Sequence, residues 1–331
     1  MTKRLSRAGR RGVARAAAVL VLLPVVLAGA AAPQAPPAKP DRDPDSFRIS
    51  VDVALVVLHA TVTGRQGGFV SDLTQPDFQV FEDGVPQTIR LFRNEDVPVT
   101  VGLVVDHSTT MRPKIAEVST AARTFVRSSN PEDEMFVVNF NEKVSLGLPG
   151  AIRFTNSALE LNRAITQPTG GQTALYDAIA KALEELRAGS RDKKVLIVVS
   201  DGGDNASTHR LSEIMQLAAK SNAIIYTVGV LDEDDPDRNP GVLKRLAQAS
   251  GGEAFFPAQF SEVGDICQRI ARDIRHQYTI GYVPSKPGRE GAFRAIRVTA
   301  REKGHGGMSV RTRTGYIAGD GGPKLDEKAV K

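Results

Sequence analysis

Hydrophobic and polar positions follow three regimes along the chain. From residue 47 to about residue 96, the stretches FRISVDVALVVLHATVTG and FQVFEDGVPQTIRLF are rich in Val and Thr and interrupted by turn residues. That pattern predicts strands, with a hairpin around Asp83-Gly84. Residues 47–97 are thus expected to form a small β-element that leans on the sheet domain following it rather than folding alone. From Val99 onward, continuous apolar runs at 99–105, 135–140, 195–200, 223–230 and 253–256 have the character of strands buried on both faces. Between them, 115–126, 174–186, 211–219 and 242–249 space their apolar residues three and four apart, as amphipathic helices do. This alternation over 98–276 predicts an α/β fold, a doubly wound and mostly parallel sheet with helices on both faces.

A last helix is expected over 261–275, and it carries the only cysteine, Cys267, among Val263, Ile266, Ile270 and Ile274. That spacing marks Cys267 as a small buried hydrophobe rather than a nucleophile. Residues 277–318 return to strand-like runs, QYTIGYVP, FRAIRVTAR and MSVRTRTGYIA, and form a C-terminal β-extension; 319–331 read as a disordered tail.

Charge changes the picture at the two ends. Lys3, Arg4, Arg7, Arg10, Arg11 and Arg15 precede an uncharged stretch, 16–32, and a Pro-rich linker, 33–46. Residues 1–32 therefore have the layout of a signal peptide, the alternative being an uncleaved membrane anchor. Either way the expected destination is outside the cytoplasm: periplasm, cell envelope or medium. The six basic residues of the leader exceed the formal charge of +5, so the remainder is close to neutral. Global charge thus gives no ground for a nucleic-acid partner, and membrane contact is expected only through an uncleaved leader. One cysteine excludes an intramolecular disulfide, so the core must hold the fold. Between Arg269 and Arg313, eleven Lys or Arg stand against three acids. These are expected to be solvated β-edge residues that resist edge pairing, rather than an anion-binding face.

Candidate chemistry concentrates where predicted strands end. The run VGLVVDHSTTM stops at Asp106, and Ser108 and Thr110 follow at alternate positions, with Met111 expected to close the loop onto the core. In GGQTALYDAI, Thr173 stands between a Gly pair and a helix start; in KVLIVVSDGGDN, Asp201 stands at a strand tip before Gly202 and Gly203. In open α/β sheets the loops at the carboxyl ends of strands converge on ligands. Asp106, Ser108, Thr110, Thr173 and Asp201 offer only oxygens, which select a hard cation, Mg²⁺, Ca²⁺ or Mn²⁺. His107 alternates with Ser108 and should point away, and the five histidines show no paired spacing.

Asp-x-Ser-x-Thr after a buried strand, Gly-Gly-x-Thr-Ala-Leu-Tyr-Asp at a helix start, and Ser-Asp-Gly after another strand together resemble the von Willebrand factor type A (VWA) domain and its metal-ion-dependent adhesion site. The flanks FQVFEDGVPQTI, QYTIGYVP and RTRTGYIA resemble the VWFA-related Acidobacterial subfamily, so the likeness spans about 47–318. The resemblance implies that Ser108 and Thr110 ligate through their hydroxyls, Thr173 directly or through water, and Asp106 and Asp201 mainly through waters. The commonest family form has serine at both positions of the first loop; Thr110 keeps the hydroxyl and adds a methyl. The resemblance further implies an open metal position that takes an Asp or Glu of a protein partner, and a last helix whose shift accompanies changes in affinity.

Local explanations compete at each position. Asp106 with Ser108 fits an Asx-turn or N-cap, Thr173 an N-cap for a helix beginning at Ala174, and Asp201-Gly202 a plain turn. Asp177 and Asp204 are expected to be outer or surface groups, and the acidic run 232–237 a solvated loop lacking the spaced acids of a calcium loop. The leading functional expectation is a non-enzymatic module for metal-dependent binding of an acidic residue on a protein partner. A Mg²⁺-dependent phosphoester hydrolase is a second reading, disfavoured because Ser108 stands where a second acid would follow Asp106 and no nearby base is apparent. In a third, the metal stabilises the sheet and the flanking β-segments form an interface in an envelope assembly.

Overall fold

The computed structural model describes residues 55–231, 236–286, 288–301 and 307–319. The expected leader (1–32), linker (33–46), tail beyond Gly319 and residues 232–235 of the acidic run lie outside the described residues.

Four strands come first: β1 (Val56–Thr63), β2 (Phe78–Glu82), β3 (Val85–Gln87) and β4 (Ile89–Arg93). The alternating region follows as β5 (Val99–Asp106), α1 (Ile115–Ser128), β6 (Glu134–Phe140), β7 (Val144–Leu146), α2 (Ala158–Ile165) and α3 (Leu175–Leu186). It continues with β8 (Lys193–Ser200), α4 (Leu211–Lys220), β9 (Ala223–Gly229), α5 (Pro240–Ser250), β10 (Ala254–Phe255) and α6 (Val263–Arg275). Four strands close the chain: β11 (Tyr278–Tyr282), β12 (Phe293–Ala300), β13 (Ser309–Arg311) and β14 (Gly315–Ile317).

The central sheet has the order β10-β9-β8-β5-β6-β7, and only the β6–β7 pairing in it is antiparallel. All eight residues of β5 are buried, as its unbroken apolar run requires of a strand covered on both faces. α1 packs between α2 and α6, and α4 between α3 and α5, so each face of the sheet carries three helices. Each large aliphatic side chain buried there contributes about 1.5–3 kcal/mol. Cys267 lies in this core, and burial pushes its thiol up to about 12, which removes nucleophilic character at neutral pH. Two elements escaped the sequence reading, β7 and α2. A three-residue strand carries no period, but α2 has a sequence cue: Ser157 caps it by accepting from the Glu160 N–H at 3.4 Å.

The flanks behave differently from the expectation of a β-element leaning on the sheet domain. β1 lies between β11 and β13, β4 pairs with β11, and β12 lies between β2 and β14. N- and C-terminal strands thus form two four-stranded sheets around a shared core of Leu58, Phe78, Val80, Tyr278, Ile280 and Val298. β2 and β3 form the expected hairpin around Asp83-Gly84, but the chain then crosses at Thr88 so that β4 joins the other sheet. β13 and β14 make the same crossing at the opposite edge, and the two crossings turn the corners of the sandwich. The α/β region is therefore inserted between the two halves of a β-sandwich.

The C-terminal arginines correct a second expectation, since several are internal rather than solvated. Arg313 is buried and donates to Gly315 O, Asn222 Oδ1 and Ala219 O; Arg294 pairs with Glu82 inside the sandwich. Arg311 pairs with Asp273, whose buried carboxylate on α6 also accepts from Thr61 Oγ1 of β1 (2.6 Å) and Tyr226 Oη of β9 (2.9 Å). Buried Lys193 donates to Ile274 O at the end of the same helix. One carboxylate thus ties the last helix to both the central sheet and the sandwich. Asp273→Ala should lower the unfolding free energy by about 3 kcal/mol in urea titrations, because Thr61, Tyr226 and Arg311 lose their acceptor. Asp273→Asn, which keeps one acceptor oxygen, should cost less.

Candidate metal centre

The chain leaves β5 toward β6 on one side and returns to place β8 on the other, so a crevice opens where the carboxyl ends of β5 and β8 diverge. Asp106 ends β5 there, and Ser200 with Asp201 ends β8. The Asp106 carboxylate is fully buried: Oδ1 accepts the Ser108 N–H at 2.8 Å and Oδ2 accepts the Ser200 hydroxyl at 2.7 Å. Ser108 Oγ and Thr110 Oγ1 are 3.2 Å apart, and Thr110 Oγ1 donates to Asp201 Oδ2 at 2.7 Å. Asp201 Oδ1 accepts the Gly203 N–H at 3.0 Å. A short 3₁₀ turn over Thr109–Met111 makes this geometry, with Met111 fully buried as its anchor. Gly202 has φ +86°, and a Cβ there would stand 2.4 Å from Asn239 O, so only glycine lets the Asp201 turn approach α5 this closely.

The local readings are partly right. Asp106 and Asp201 do each close an Asx-type turn on the N–H two residues ahead, but each spends one oxygen there and turns the other toward a neighbouring loop. Thr173 is not an N-cap: α3 begins at Leu175, its N-cap is Ala174, and no side chain caps it. Thr173 is buried and held by its backbone, its N–H on Asn205 Oδ1 (2.9 Å) and its C=O accepting from the N–H of Asn205 (3.0 Å) and Ala206 (3.1 Å). Two residues earlier, Gly171 O accepts from the N–H and hydroxyl of Thr109, which lies between Ser108 and Thr110. The structure therefore links Asp106, Ser108, Thr110 and Asp201 directly and brings the Thr173 loop against them.

His107 points away, its Nε2 on Asn139 Oδ1 at 3.0 Å. Asp204 holds the Tyr176 N–H and the Ser207 hydroxyl, and Asp177 holds Thr208 and His209. Burial alone would raise Asp177, but those donors outweigh it and hold the carboxyl down at about 2. The sequence reading missed Ser200, Asn205, Asn141 and Glu142. For Ser200 the cue was present: a hydroxyl ending the strand next to β5 sits level with Asp106.

Burial pushes Asp106 up to about 6; bonds from Ser108 and Ser200 pull it down, and the nearby Asp201 carboxylate pushes it up again. Two carboxylates and two hydroxyls thus share one chain of hydrogen bonds with no Lys or Arg bonded to them among the described residues. Those residues also contain no group of three or more His, Cys, Asp or Glu arranged to hold a metal. The cluster is unsuited to zinc or copper. An all-oxygen set with uncompensated negative charge fits a hard divalent cation, which would offset the burial and the neighbouring Asp201 charge that raise Asp106.

The doubly wound sheet, with an oxygen cluster at its switch point, defines an α/β domain of the open-sheet class. A family model of the von Willebrand factor type A domain matches residues 100–269, just over half of the 331, and the chain belongs to that family. No functionally curated protein matches it. Similar solved structures include a von Willebrand factor type A protein from Catenulispora acidiphila (14% identity, 76% of each chain covered, TM-score 0.49). Another is an aerotolerance-related membrane protein from Bacteroides fragilis (13% identity, 53% of this chain and 98% of that one, TM-score 0.43). A third is the von Willebrand factor domain of the type V pilus tip protein Mfa5 from Porphyromonas gingivalis (15% identity, 54% and 95%, TM-score 0.45). Among the described residues, no helix is long and apolar enough to cross a membrane.

The raised Asp106 fixes the sign of a pH effect in chelator-treated protein. Its carboxyl holds its proton to higher pH when folded than when unfolded, so folding is penalised as pH rises from about 4 through about 6. Asp106→Asn should therefore raise the Tm of metal-free protein at pH 7.5, by roughly 2–4 °C per kcal/mol relieved. Differential scanning calorimetry should show that advantage shrink below about pH 6 and vanish by about pH 3, where the carboxyl is protonated in both folded and unfolded states.

Proposed function

We propose that this VWA domain is an exported, non-enzymatic binding module that recognises an acidic residue of a protein partner through a divalent cation, Mg²⁺ or in its place Ca²⁺ or Mn²⁺. The observation that carries the reading is the hydrogen-bonded chain Asp106–Ser108–Thr110–Asp201 at the switch point, closed on one side by the Thr173 loop. On this reading Ser108 and Thr110 hold the ion through their hydroxyls and Thr173 completes the set, while Asp106 and Asp201 neutralise it from behind. When bound, the cation supplies a Lewis-acidic position for a partner carboxylate. Neutral hydroxyls suit that task because they leave the ion's charge largely uncompensated, so an incoming Asp or Glu makes a charge-assisted contact. Asp106, which accepts from the Ser108 N–H and the Ser200 hydroxyl, fixes the first loop to the end of β8. In this reading the site is a metal-ion-dependent adhesion site, and the likeness of the flanks FQVFEDGVPQTI, QYTIGYVP and RTRTGYIA supports membership of the VWFA-related Acidobacterial subfamily.

Hydrolysis is the weaker reading: the groups bonded around Asp106 are serine hydroxyls and backbone, and the nearest histidine, His107, turns away toward Asn139. Export rests on the basic and apolar pattern of residues 1–32.

Calorimetric titration of Mg²⁺ and Mn²⁺ into chelator-treated protein should give one site, weakened at least tenfold by Ser108→Ala or Asp201→Ala. Capture from an envelope extract should need the metal and should be lost in Asp106→Ala. Equal capture with Mg²⁺ and with EDTA would remove the proposal, as would turnover of phosphate esters in a broad phosphatase screen.

A further inference from the structure

Thr173 stands on a loop that makes no regular structure, yet most backbone groups from residue 169 to 174 are bonded to other segments of the protein. Gly170 N–H donates to His107 O (2.8 Å), and Gly171 O accepts from Thr109. Those two contacts join the loop to the Asp106 strand end. Asn205 and Ala206, from the Asp201 side, hold Thr173 itself. The remaining side is held by the turn of the β6–β7 hairpin, residues 141–143, which carries no proposed ligand. Asn141 O accepts the Ala174 N–H at 2.7 Å, Asn141 Nδ2 donates to Gly170 O at 3.0 Å, and Glu142 Oε2 accepts the Gln172 N–H at 3.1 Å. The turn is itself braced, with Asn141 Oδ1 accepting the Lys143 N–H at 2.9 Å.

The turn thus grips residues 170, 172 and 174, and the Asn205 segment grips 173 from the other direction. Gly171 shows how close the fit is. Its φ is +82°, and a Cβ there would fall 1.6 Å from Glu142 Oε2, so the carboxylate fills the space that any side chain at 171 would need. None of these bonds joins Asn141 or Glu142 directly to Asp106, Ser108, Thr110 or Asp201.

We propose that Asn141 and Glu142 are positioning residues for the metal centre: the β6–β7 turn straps the Thr173 loop in the register at which its hydroxyl joins those of Ser108 and Thr110. The inference rests on the metal-binding reading of the site. It assigns Glu142 the part of a hydrogen-bond acceptor, not of a charge or a ligand. It also assigns the otherwise purposeless β7 a role, because the short antiparallel strand is what turns the chain back and presents residues 141–143 at the sheet's carboxyl edge.

Mg²⁺ titration by calorimetry, with hydrogen exchange over 169–175 in metal-free and metal-loaded protein, tests this. Glu142→Ala and Asn141→Ala should each weaken Mg²⁺ binding about fivefold, the worth of one such bond. Both should speed exchange at Gln172 and Thr173 in the metal-free state. Glu142→Gln keeps an amide oxygen for the Gln172 N–H and should bind within about twofold of wild type. Metal-free unfolding midpoints should stay near wild type for the exposed Glu142 variants, separating positioning from a general loss of fold. Wild-type affinity in Glu142→Ala would overturn the inference alone, and so would Glu142→Gln behaving like Glu142→Ala, which would mean that charge is what matters. A wild-type protein that takes up no divalent cation would overturn the reading of the site and this inference with it.

Discussion

A buried carboxylate, Asp106, to which no Lys or Arg bonds among the described residues is the constraint around which this molecule is arranged. Asp106 is inaccessible to solvent, and burial makes its charge expensive, so every nearby group that lowers the cost is held in place. The Ser108 N–H requires the chain to turn sharply after β5, and the Ser200 hydroxyl requires β8 to end level with it. Once both conditions hold, Thr110 and Asp201 face each other, and the oxygens of two loops far apart in sequence form one continuous chain. The same arrangement that is unfavourable for an isolated carboxylate is favourable for a cation site.

Precision at that end of the sheet depends on support at the other. β5 and β9 are buried along their whole lengths and β8 at every position but Lys194, so their carboxyl ends hold fixed positions relative to one another. Their amino ends rest against a β-sandwich made from both chain flanks, and Asp273 fastens the last helix to it through β1 and β13. The oxygen cluster and the sandwich thus occupy opposite ends of the α/β region. The loops at the carboxyl ends of these strands sit on a scaffold whose free ends are secured elsewhere.

The doubly wound sheet was legible because buried parallel strands and amphipathic helices differ in period, and the difference survives without tertiary information. Four of the five proposed donors were placed in contact as the strand-end argument expected, since a residue that terminates a buried strand has little freedom in where it points. The fifth, Thr173, lies in an irregular loop, and its place follows from bonds to Asn205 and the 141–142 turn that no local pattern announces. α2 went unread because eight residues give barely two turns of periodicity, although Ser157 and Glu160 marked its start. The arginines of the C-terminal segment were misjudged for a related reason: charge reads as exposure unless the buried acid that receives it is known, and Asp273 and Glu82 lie 38 and 212 positions from Arg311 and Arg294.

By itself the amino-acid order determined the class of fold, the strand ends and the kind of atom offered there, because period, side-chain type and turn residues act over a few neighbouring positions. Only the tertiary structure decided that the two flanks pair into one sandwich and that Ser200 backs Asp106. It alone placed the hairpin turn against the Thr173 loop. Those outcomes depend on hydrogen bonds and shared cores between segments up to two hundred residues apart, for which any strand of suitable pattern is a possible partner until the whole chain has packed.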